Sequence, residues 1–374
     1  MDNLQLKSLV TAEGYVELFL ESSPVPDCAE DEVLIEVHAA PINPSDMGAL
    51  FASADMSTVE LLGSSDKPRI RAMIPESMRK AVAAREGKAL ACGNEGAGIV
   101  VATGNSQEAK ALMGKTVAVL GGRMYSKYRI NKAKTCLKLL EGTTPKEGAS
   151  CFVNPLTAIG MVETMRMEGH SALVHTAAAS NLGQMLQKFC INESVDLVNI
   201  VRKQEHVDLL KGIGAKYVCN TSSPNFFAHL TDVLAETKAT IAFDALGGGE
   251  LAGDILTAME HALSRDAATS GPYGSTTHKQ VYIYGGLDRS ATKFKRSFGM
   301  SWGMGGYLLT PFLQKIGRDA ANKLRQKVAA EITSTFASSY TKEVSFQELL
   351  TVEAISVIDK RATGEKYLVN PSQG

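Results

Sequence analysis

Residues Ser171–Cys190 have the sequence Ser-Ala-Leu-Val-His-Thr-Ala-Ala-Ala-Ser-Asn-Leu-Gly-Gln-Met-Leu-Gln-Lys-Phe-Cys. An aliphatic and β-branched run leads into small residues and one glycine, and an amphipathic helical pattern follows. This order predicts a strand, a tight turn and a helix N-terminus, where backbone N–H groups and the helix dipole can bind a phosphate. Of the three glycines of a G-x-G-x-x-G fingerprint only Gly183 is present, because Ala178 and Ser180 stand at the first two positions. The stretch therefore predicts a variant phosphate-binding turn.

The composition indicates a globular protein without a nucleic-acid or membrane partner. The chain has 374 residues, enough for two domains, of which 44% are hydrophobic and 21% charged. A formal net charge of −1 provides no electrostatic attraction to nucleic acid or to anionic membranes. We therefore expect a small-molecule substrate.

The cysteines indicate a reducing, cytoplasmic compartment. Six of them are scattered along the chain without a C-x-x-C pair. The N-terminal residues lack the basic and then apolar order of a signal peptide. The uncharged stretch Ser297–Gln314 is interrupted by four glycines and Pro311, so we expect buried or cleft-lining backbone there rather than a membrane span.

The middle of the chain alternates between strand and helix patterns. Predicted strands are Ala172–Thr176, Asp196–Val201, Lys216–Cys219, Thr240–Asp244 and Gln280–Tyr284. Predicted helices are Asn181–Cys190, Glu205–Ile213, Phe226–Glu236 and Glu250–Ala262. This β-α-β-α spacing predicts an α/β fold with a doubly wound parallel sheet.

The two ends of the chain have a different pattern. The first 140 residues or so are predicted mainly as strands and turns, including Glu32–Ala39, Gly98–Ala102 and Thr116–Leu120. Pro75–Arg85 is predicted as a helix, with Gly87 just past its end. The last fifty residues are predicted to contain two helices and two short strand-like segments, ending with a strand at Lys366–Val369.

Eight short segments carry a family resemblance in the correct order. They are Pro41-Ile-Asn-Pro-Ser-Asp46, Gly93-Asn-Glu-Gly-Ala-Gly98 with Gly104, Tyr125-Ser-Lys-Tyr128, Asn154-Pro-Leu-Thr-Ala158, the turn at Ala177–Gly183, Phe243-Asp-Ala-Leu-Gly247, Tyr284-Gly-Gly286 and Gly364-Glu-Lys-Tyr-Leu368. On these residues the chain resembles the medium-chain dehydrogenase/reductase superfamily, and within it the zinc-independent quinone oxidoreductase and enoyl reductase branch.

The resemblance implies a two-domain enzyme. A GroES-like β-rich catalytic domain would comprise residues 1–147 and 326–374, and a Rossmann NADP-binding domain would comprise residues 148–325. The active-site cleft would lie where the two domains meet, and a homodimer is implied. The resemblance also implies a hydride transfer from NADPH.

Zinc is not expected. Zinc-dependent relatives have a cysteine and a histidine where this chain has Asn43 and Asn94, and asparagine is a poor zinc ligand. No cysteine falls between Cys92 and Cys136, so the four-cysteine structural lobe of those relatives is also absent from the sequence.

In dinucleotide-binding folds, the residue at the end of the second Rossmann strand determines whether NAD or NADP is bound. An acidic residue there binds the ribose 2′-hydroxyl, whereas a basic residue accommodates a 2′-phosphate. The strand Asp196–Val201 is followed by Arg202 and Lys203, and no carboxylate follows until Glu205. The pattern favours NADPH, with Arg202 as the main phosphate ligand and Lys203 in support. The alternative is a solvated basic pair that opens a helix.

The remaining candidate cofactor residues come from the resemblance. They are Thr157, Ala178, Ser180, Asn181, Leu182, Gly183, Tyr217, Asn220, Leu246, Tyr284, Gly285 and Gly286. Tyr217 and Asn220 are expected at the adenosine end. Tyr284 and the two glycines after it are expected near the nicotinamide, where glycine lets the backbone approach closely. Thr157 is expected there too, although a helix-interior threonine fits it equally well.

Asn43, Asp46 and Tyr125 are the candidate catalytic residues. Asn43 would donate a hydrogen bond to the oxygen of a developing enolate. Asp46 would orient Asn43 or contact the cofactor ribose, and Tyr125 or water would supply the proton. The alternative for Asn43 and Asp46 is a turn that caps a helix.

The expected acceptor is a quinone or an α,β-unsaturated carbonyl compound. Two alternatives remain open, a 2-enoyl thioester reductase and an NADPH-binding protein without catalysis. The segment Ser57–Leu90 carries Arg69, Arg71, Arg79 and Lys80, which would attract an anionic substrate tail or form a solvated charged surface.

Overall fold

The computed structural model describes residues 1–64, 67–265, 270–360 and 364–373. The strands are β1 (Asp2–Val10), β2 (Tyr15–Pro24), β3 (Glu32–Pro41), β4 (Asp55–Leu61), β5 (Arg69–Met73), β6 (Leu90–Ala91), β7 (Glu95–Thr103), β8 (Thr116–Leu120), β9 (Tyr128–Lys132), β10 (Leu137–Lys138), β11 (Leu173–Thr176), β12 (Leu197–Val201), β13 (Tyr217–Asn220), β14 (Ile241–Asp244), β15 (Ser270–Gly271), β16 (Gly274–Ser275), β17 (Lys279–Ile283), β18 (Trp302–Gly306), β19 (Lys342–Val344) and β20 (Tyr367–Val369).

The helices are α1 (Met47–Phe51), α2 (Glu76–Val82), α3 (Gln107–Lys110), α4 (Pro145–Gly148), α5 (Val153–Met167), α6 (Asn181–Asn192), α7 (Gln204–Gly212), α8 (Phe226–Thr237), α9 (Leu251–Leu263), α10 (Leu309–Ile316), α11 (Arg318–Glu331), α12 (Phe346–Leu349) and α13 (Val352–Lys360). Within the described part of the chain, no helix combines the length and the apolar character needed to cross a bilayer.

The chain divides into two compact units. Unit 1 consists of Met1–Val153 and Arg325–Gly374, and unit 2 of Asn154–Leu324. The sequence predicted the divisions at 147/148 and 325/326.

Unit 2 contains a six-stranded sheet in the order β13-β12-β11-β14-β17-β18, in which each neighbouring pair is parallel. Counted along the chain this is the 3-2-1-4-5-6 order of a doubly wound dinucleotide-binding sheet. Every residue of β11, β12 and β14 is buried, as required of strands with helices on both faces. The strand order reverses between β11 and β14, so ligands of such a sheet bind outside the carboxyl ends of these strands.

The stretch Ser297–Gln314 differs from its prediction. It contains the edge strand β18 and helix α10 rather than irregular buried backbone, and the residues of β18 are half-buried or exposed. The strand pairs in register with β17, from Trp302 against Lys279 to Gly306 against Ile283. The strand was not predicted because three of its residues are glycine, which lacks the side chain that gives a strand its alternating pattern.

Unit 1 is built from two sheets. One has the order β4-β5-β2-β1-β6, and the other has the order β10-β8-β7-β3-β20-β19 with β9 also paired to β3. Strand β20 comes from the C-terminal segment, yet it pairs directly with β3, Leu368 opposite Pro41. A hydrophobic core that includes Leu6, Ile35 and Val119 fills this unit. The unit therefore needs both ends of the chain.

The predicted charged segment at 57–90 forms β4, β5 and α2, followed by a 3-10 turn at Ala83–Arg85. Three of its four named cations have carboxylate partners, since Arg69 pairs with Glu17, Arg71 with Glu60, and Arg79 with Glu76. These pairs favour the solvated charged surface over a site for an anionic substrate tail.

Candidate functional site

The turn after β11 is short and tightly packed. Ala177 has a left-handed backbone with φ of +50°, and the chain then enters α6 with Ser180 as its N-cap. The Oγ of Ser180 accepts a hydrogen bond from the N–H of Gly183 at 3.2 Å. A Cβ at position 183 would lie 2.1 Å from the carbonyl oxygen of Ala178. Gly183 is therefore required by the close approach of helix and turn, which is the role of the last glycine in a dinucleotide fingerprint.

Thr176 and Asp244 join the carboxyl ends of β11 and β14. The hydroxyl of Thr176 donates to Oδ1 of Asp244 at 2.7 Å and accepts from the N–H of Ala245 at 2.8 Å. The carboxylate of Asp244 also accepts from the N–H groups of Leu246 and Gly247, each at 3.0 Å. These bonds fix the loop that carries Leu246 at the edge of the sheet where ligands of this fold bind.

Arg202 lies at the carboxyl end of β12 with an exposed side chain. Its carbonyl oxygen accepts from the hydroxyl of Ser222 at 2.7 Å, and the Oδ1 of Asn220 accepts from the N–H of Ser222 at 2.9 Å. No carboxylate of the described residues forms an ion pair with Arg202, whereas Lys203 pairs with Glu205 at 2.9 Å. The guanidinium of Arg202 is thus the cation at this edge that is available to an anionic ligand.

The structure does not bring Tyr217 to that edge. It lies opposite Val198 at the amino end of β13, three positions before Asn220, which lies opposite Val201. Three residues of a strand span about 10 Å. The Tyr217 hydroxyl donates instead to Glu236 at 2.7 Å. The register therefore places Tyr217 away from the edge at which it was expected to line the adenosine end, whereas Asn220 lies at that edge and its role there stays a prediction.

Tyr284 directly follows β17 and packs against His175. Its hydroxyl lies 2.7 Å from Nε2 of His175, and the two rings stack with centroids 5.7 Å apart. Burial lowers the pKa of His175 to about 3, so the imidazole is neutral at pH 7. A Cβ on Gly285 would lie 2.5 Å from the carbonyl oxygen of Ala245, so glycine is needed here for a backbone approach within the protein.

Four further predicted cofactor residues occupy different environments. Thr157 is buried within α5, and Leu182 is almost fully buried in the first turn of α6. Gly286 has open space where a Cβ would project, in contrast to its neighbour at 285. Asn181 is the first residue of α6.

In unit 1 a buried carboxylate holds the Asn-Pro-Ser-Asp turn. Asp46 is fully buried and accepts from the N–H of Asn43 through Oδ2 and from the N–H of Asn94 through Oδ1, each at 2.9 Å. Burial raises the pKa of Asp46 to about 7, although the two N–H donors act in the opposite direction. Asp46 thus joins the turn before α1 to the turn before β7.

A second buried carboxylate, Glu95, orients the Asn43 side chain. Its Oε1 accepts from Nδ2 of Asn43 at 2.8 Å. Its Oε2 accepts from the N–H groups of Phe152 and Val153 at 2.8 and 2.9 Å. Burial raises the pKa of Glu95, and the Lys366 ammonium opposes that shift. The Oδ1 of Asn43 is buried and has no hydrogen-bond partner among the described residues.

Tyr125 has a structural contact in unit 1. It is 1% exposed, and its hydroxyl donates to the carbonyl oxygen of Pro41 at 3.1 Å. Burial raises the pKa of this phenol well above its usual value. A role in proton donation would require this hydrogen bond to open.

Among the described residues, no group of three or more His, Cys, Asp or Glu side chains is arranged to hold a metal ion. Asn43 directs its amide nitrogen, which cannot ligate, toward Glu95. Asn94 likewise donates from Nδ2, to the hydroxyl of Ser45 at 3.1 Å.

Solved structures resemble the chain over its full length. A protein of Mesorhizobium loti described as an NADPH:quinone reductase is 25% identical, with a TM-score of 0.71 over 99% of this chain and 98% of that one. One of the same description from Bacillus thuringiensis is 17% identical, with a TM-score of 0.72 over 99% of both chains. An enoyl thioester reductase of Candida tropicalis, solved in a mutant form, is 17% identical, with a TM-score of 0.69 over 99% of this chain and 100% of that one.

The chain has the fold of the medium-chain dehydrogenase/reductase superfamily, which these solved structures represent. No family model and no curated protein sequence matches it. The resemblance to this superfamily, predicted from short motifs, and the α/β fold class, predicted from the alternation of strands and helices, are confirmed by the structural similarity.

Three polar residues near the candidate sites were not identified from the sequence. Glu95 and Asp244 lie within the motifs that carried the resemblance, but no role was expected for either. A carboxylate inside a buried strand pattern signals a bonded partner, because a charge is almost never fully buried unpaired. Ser222 gave no such signal, since serine is common in loops.

Proposed function

We propose that this protein is an NADPH-dependent oxidoreductase that reduces a quinone or an activated alkene without zinc. The proposal is carried by Arg202, whose guanidinium stands without an ion-pair partner among the described residues at the carboxyl end of β12. A guanidinium at that position suits a ribose 2′-phosphate. The similarity to proteins described as NADPH:quinone reductases supports it.

The residues of unit 2 fit a dinucleotide phosphate. The N-terminus of α6 would hold the pyrophosphate, because its first turn follows a strand through a turn that leaves no room for a Cβ at Gly183. Ser180 caps the helix with its oxygen and retains an O–H to donate. Arg202 and Asn220 would hold the adenosine end. Lys203 is the weaker candidate, because Glu205 already neutralises it.

Bound NADPH supplies a hydride, and the protein supplies orientation and hydrogen bonds. The acceptor needs a carbonyl conjugated to the carbon that receives the hydride, so that negative charge collects on oxygen. The second N–H of the Asn43 amide donates to that oxygen, and a proton from water completes the reduction. Glu95 holds the amide in place by accepting the first N–H. Asp46 is a positioning residue that fixes the Asn43 backbone.

A 2-enoyl thioester reductase is the second candidate function. One similar structure is a complex of an enoyl reductase with NADP and crotonyl-CoA, at 16% identity. An enoyl thioester has the same conjugated carbonyl, so the proposed roles of Asn43 and Glu95 apply without change.

Anaerobic NADPH oxidation tests the proposal against quinones, enones and enoyl thioesters, with NADH run in parallel. We expect turnover of a quinone or enone with NADPH in preference to NADH. Turnover confined to enoyl-CoA substrates would select the second candidate. Preference for NADH would contradict the role of Arg202, and tight NADPH binding without turnover would indicate a binding protein.

We also propose that the protein is a cytoplasmic homodimer. All six cysteines are free thiols, which suits a reducing compartment. In the described sheet of unit 2, β18 is an edge strand with one unpaired side, a surface that a second copy can extend. Light scattering coupled to size-exclusion chromatography would measure the mass, and a monomer at micromolar concentration would contradict the dimer.

A further inference from the structure

Unit 1 contains a cavity of about 480 Å³. It is bounded by β1, β6 and β9 together with the segment that follows β2. Much of its wall is apolar, formed by Val25, Pro26, Leu34, Leu90 and Ile130. None of the candidate catalytic residues lines it. A cavity of this size is typical of a small-molecule site.

Three cations line the cavity, and one of them, Lys7, pairs with Glu21 at 3.3 Å. Arg123 and Arg129 both line the cavity, and neither forms an ion pair with any described carboxylate. The Nε of Arg129 is buried and has no hydrogen-bond partner among the described residues. Burial and the neighbouring Arg123 cation both lower the pKa of Arg129. Arg129 is half-buried and Arg123 is exposed, and both border the same cavity, an arrangement that an anion stabilises.

The other arginines of this region have partners. Arg69 pairs with Glu17 at 2.6 Å, and Arg79 pairs with Glu76 at 3.1 Å. Arg85 donates to the carbonyl oxygens of Gly48 and Ala49. Each of these three arginines therefore has a partner for part of its guanidinium group, although the Nε of Arg85, like that of Arg129, has none among the described residues.

The backbone at Arg123 adds an independent observation. Arg123 has φ of +63°, a left-handed conformation that strains a residue with a Cβ. It follows two glycines with positive φ, Gly121 and Gly122. Glycine would adopt the same conformation at position 123 without strain. This strained backbone at an arginine of the cavity wall is the second observation on which the inference rests.

We propose that this cavity binds an amphiphilic carboxylate of about eight carbons. The carboxylate accepts hydrogen bonds from Arg123 and Arg129, and the aliphatic body contacts the apolar wall. A phosphate or another small dianion without an apolar body would leave most of the wall unfilled. The site lies wholly within unit 1 and does not depend on the proposed reductase activity.

The test is isothermal titration of the full chain with octanoate, octan-1-ol and acetate. We expect octanoate to bind at least ~10-fold more tightly than octan-1-ol, because a charged hydrogen bond is lost with the alcohol. Acetate, which lacks the apolar body, should bind more weakly than octanoate. Equal affinity for octanoate and octan-1-ol, or no saturable octanoate binding, would overturn the proposal.

Three variants locate the site. Arg123→Gly and Arg129→Gln should each weaken octanoate binding at least ~10-fold. Arg123→Gly should also keep or raise the melting temperature, because glycine relieves the strain at this φ, and so it remains informative if Arg129→Gln folds poorly. The matched control is Arg69→Gln, which removes a cation of the same unit that does not line the cavity. Equal weakening by the control would refute a specific site.

Discussion

Asn43 donates a hydrogen bond from Nδ2 to Oε1 of Glu95 at 2.8 Å, joining two side chains that are 2% and 0% exposed. The Glu95 carboxylate accepts two further bonds from backbone N–H groups, so it is fully engaged with donors. The asparagine oxygen, in contrast, has no partner among the described residues. Of the side-chain oxygens of this pair, only that of Asn43 lacks a partner in the described chain, so replacing Asn43 and replacing Glu95 should have different effects on stability.

Asn43→Ala should lower the free energy of unfolding by about 1–3 kcal/mol, because the buried Glu95 oxygen loses its donor. Glu95→Gln should cost less, since the Asn43 amide can flip and let its unpartnered oxygen accept from the new Nε2. Urea denaturation of both variants measures the difference. If Glu95→Gln is the more damaging change, the carboxylate charge rather than the hydrogen bond holds this site together.

Arg202→Ala should raise the Kd for NADPH about 10-fold to 100-fold and leave the Kd for NADH nearly unchanged, because only NADPH carries the 2′-phosphate. Lys203→Ala is the matched control. Its ammonium pairs with Glu205, so we expect a change of less than about threefold. Fluorescence titration with both cofactors provides the measurement. If the affinities for NADPH and NADH fall equally, Arg202 does not bind the 2′-phosphate.

Gly183→Ala should destabilise unit 2 by about 1–3 kcal/mol and weaken cofactor binding, because the new Cβ would overlap the carbonyl group of Ala178. Gly212→Ala is the comparison. It lies at the end of α7, and no atom lies within 4 Å of the position that its Cβ would take, so alanine there should be neutral or stabilise by up to about 1 kcal/mol. The melting temperatures of the two variants, measured by thermal unfolding, test this difference. A stable Gly183→Ala variant would show that the turn tolerates a wider approach.

Tyr125→Phe should cost about 1 kcal/mol of stability, through loss of the hydrogen bond to Pro41, while substrate reduction continues. The reason is that this hydroxyl is buried in a structural contact. Steady-state kinetics with NADPH and the best acceptor of the panel provide the test. A fall in kcat of about 100-fold or more, without a change in NADPH affinity, would instead assign the proton donor to Tyr125.

His175 should make stability depend on pH. Its pKa is about 3 in the folded protein and 6.5 in the unfolded chain, so the unfolded state binds the extra proton between these values. Stability is therefore fully present above pH 6.5 and falls as the pH decreases, by about 1.4 kcal/mol per pH unit at the steepest. His175→Gln retains a partner for Tyr284 without titrating. The difference in free energy of unfolding between the wild type and the variant should thus change by about 2 kcal/mol from pH 7 to pH 5. If the two free energies change in parallel with pH, His175 does not cause the pH dependence.

The sheet of unit 2 was largely predictable from the sequence. Its inner strands are short aliphatic runs between helical patterns, and β12 at Leu197–Val201 lies inside its predicted range. Strand β18 was missed because three of its five residues are glycine. Tyr217 was placed at the wrong end of a strand, since sequence alone does not give the register between neighbouring strands.

The candidate site of unit 1 was only partly predictable. The Asn-Pro-Ser-Asp turn is a local motif, so Asn43 and Asp46 could be selected from it. The contacts of Glu95 with Phe152 and Val153 join segments 57 and 58 positions apart, and no spacing in the sequence reveals such pairs. Lys366 donates to Ser150 across 216 positions, which is equally invisible to local patterns.

The pairing of β20 with β3 affects the order in which the chain matures during translation. All strands of the unit 2 sheet leave the ribosome before β20 is synthesised. The backbone just before Asn43 is completed late, because the N–H of Ile42 donates to the carbonyl oxygen of Tyr367 at 3.0 Å. A nascent chain can therefore complete its nucleotide-binding sheet while the turn that carries Asn43 still lacks its final support.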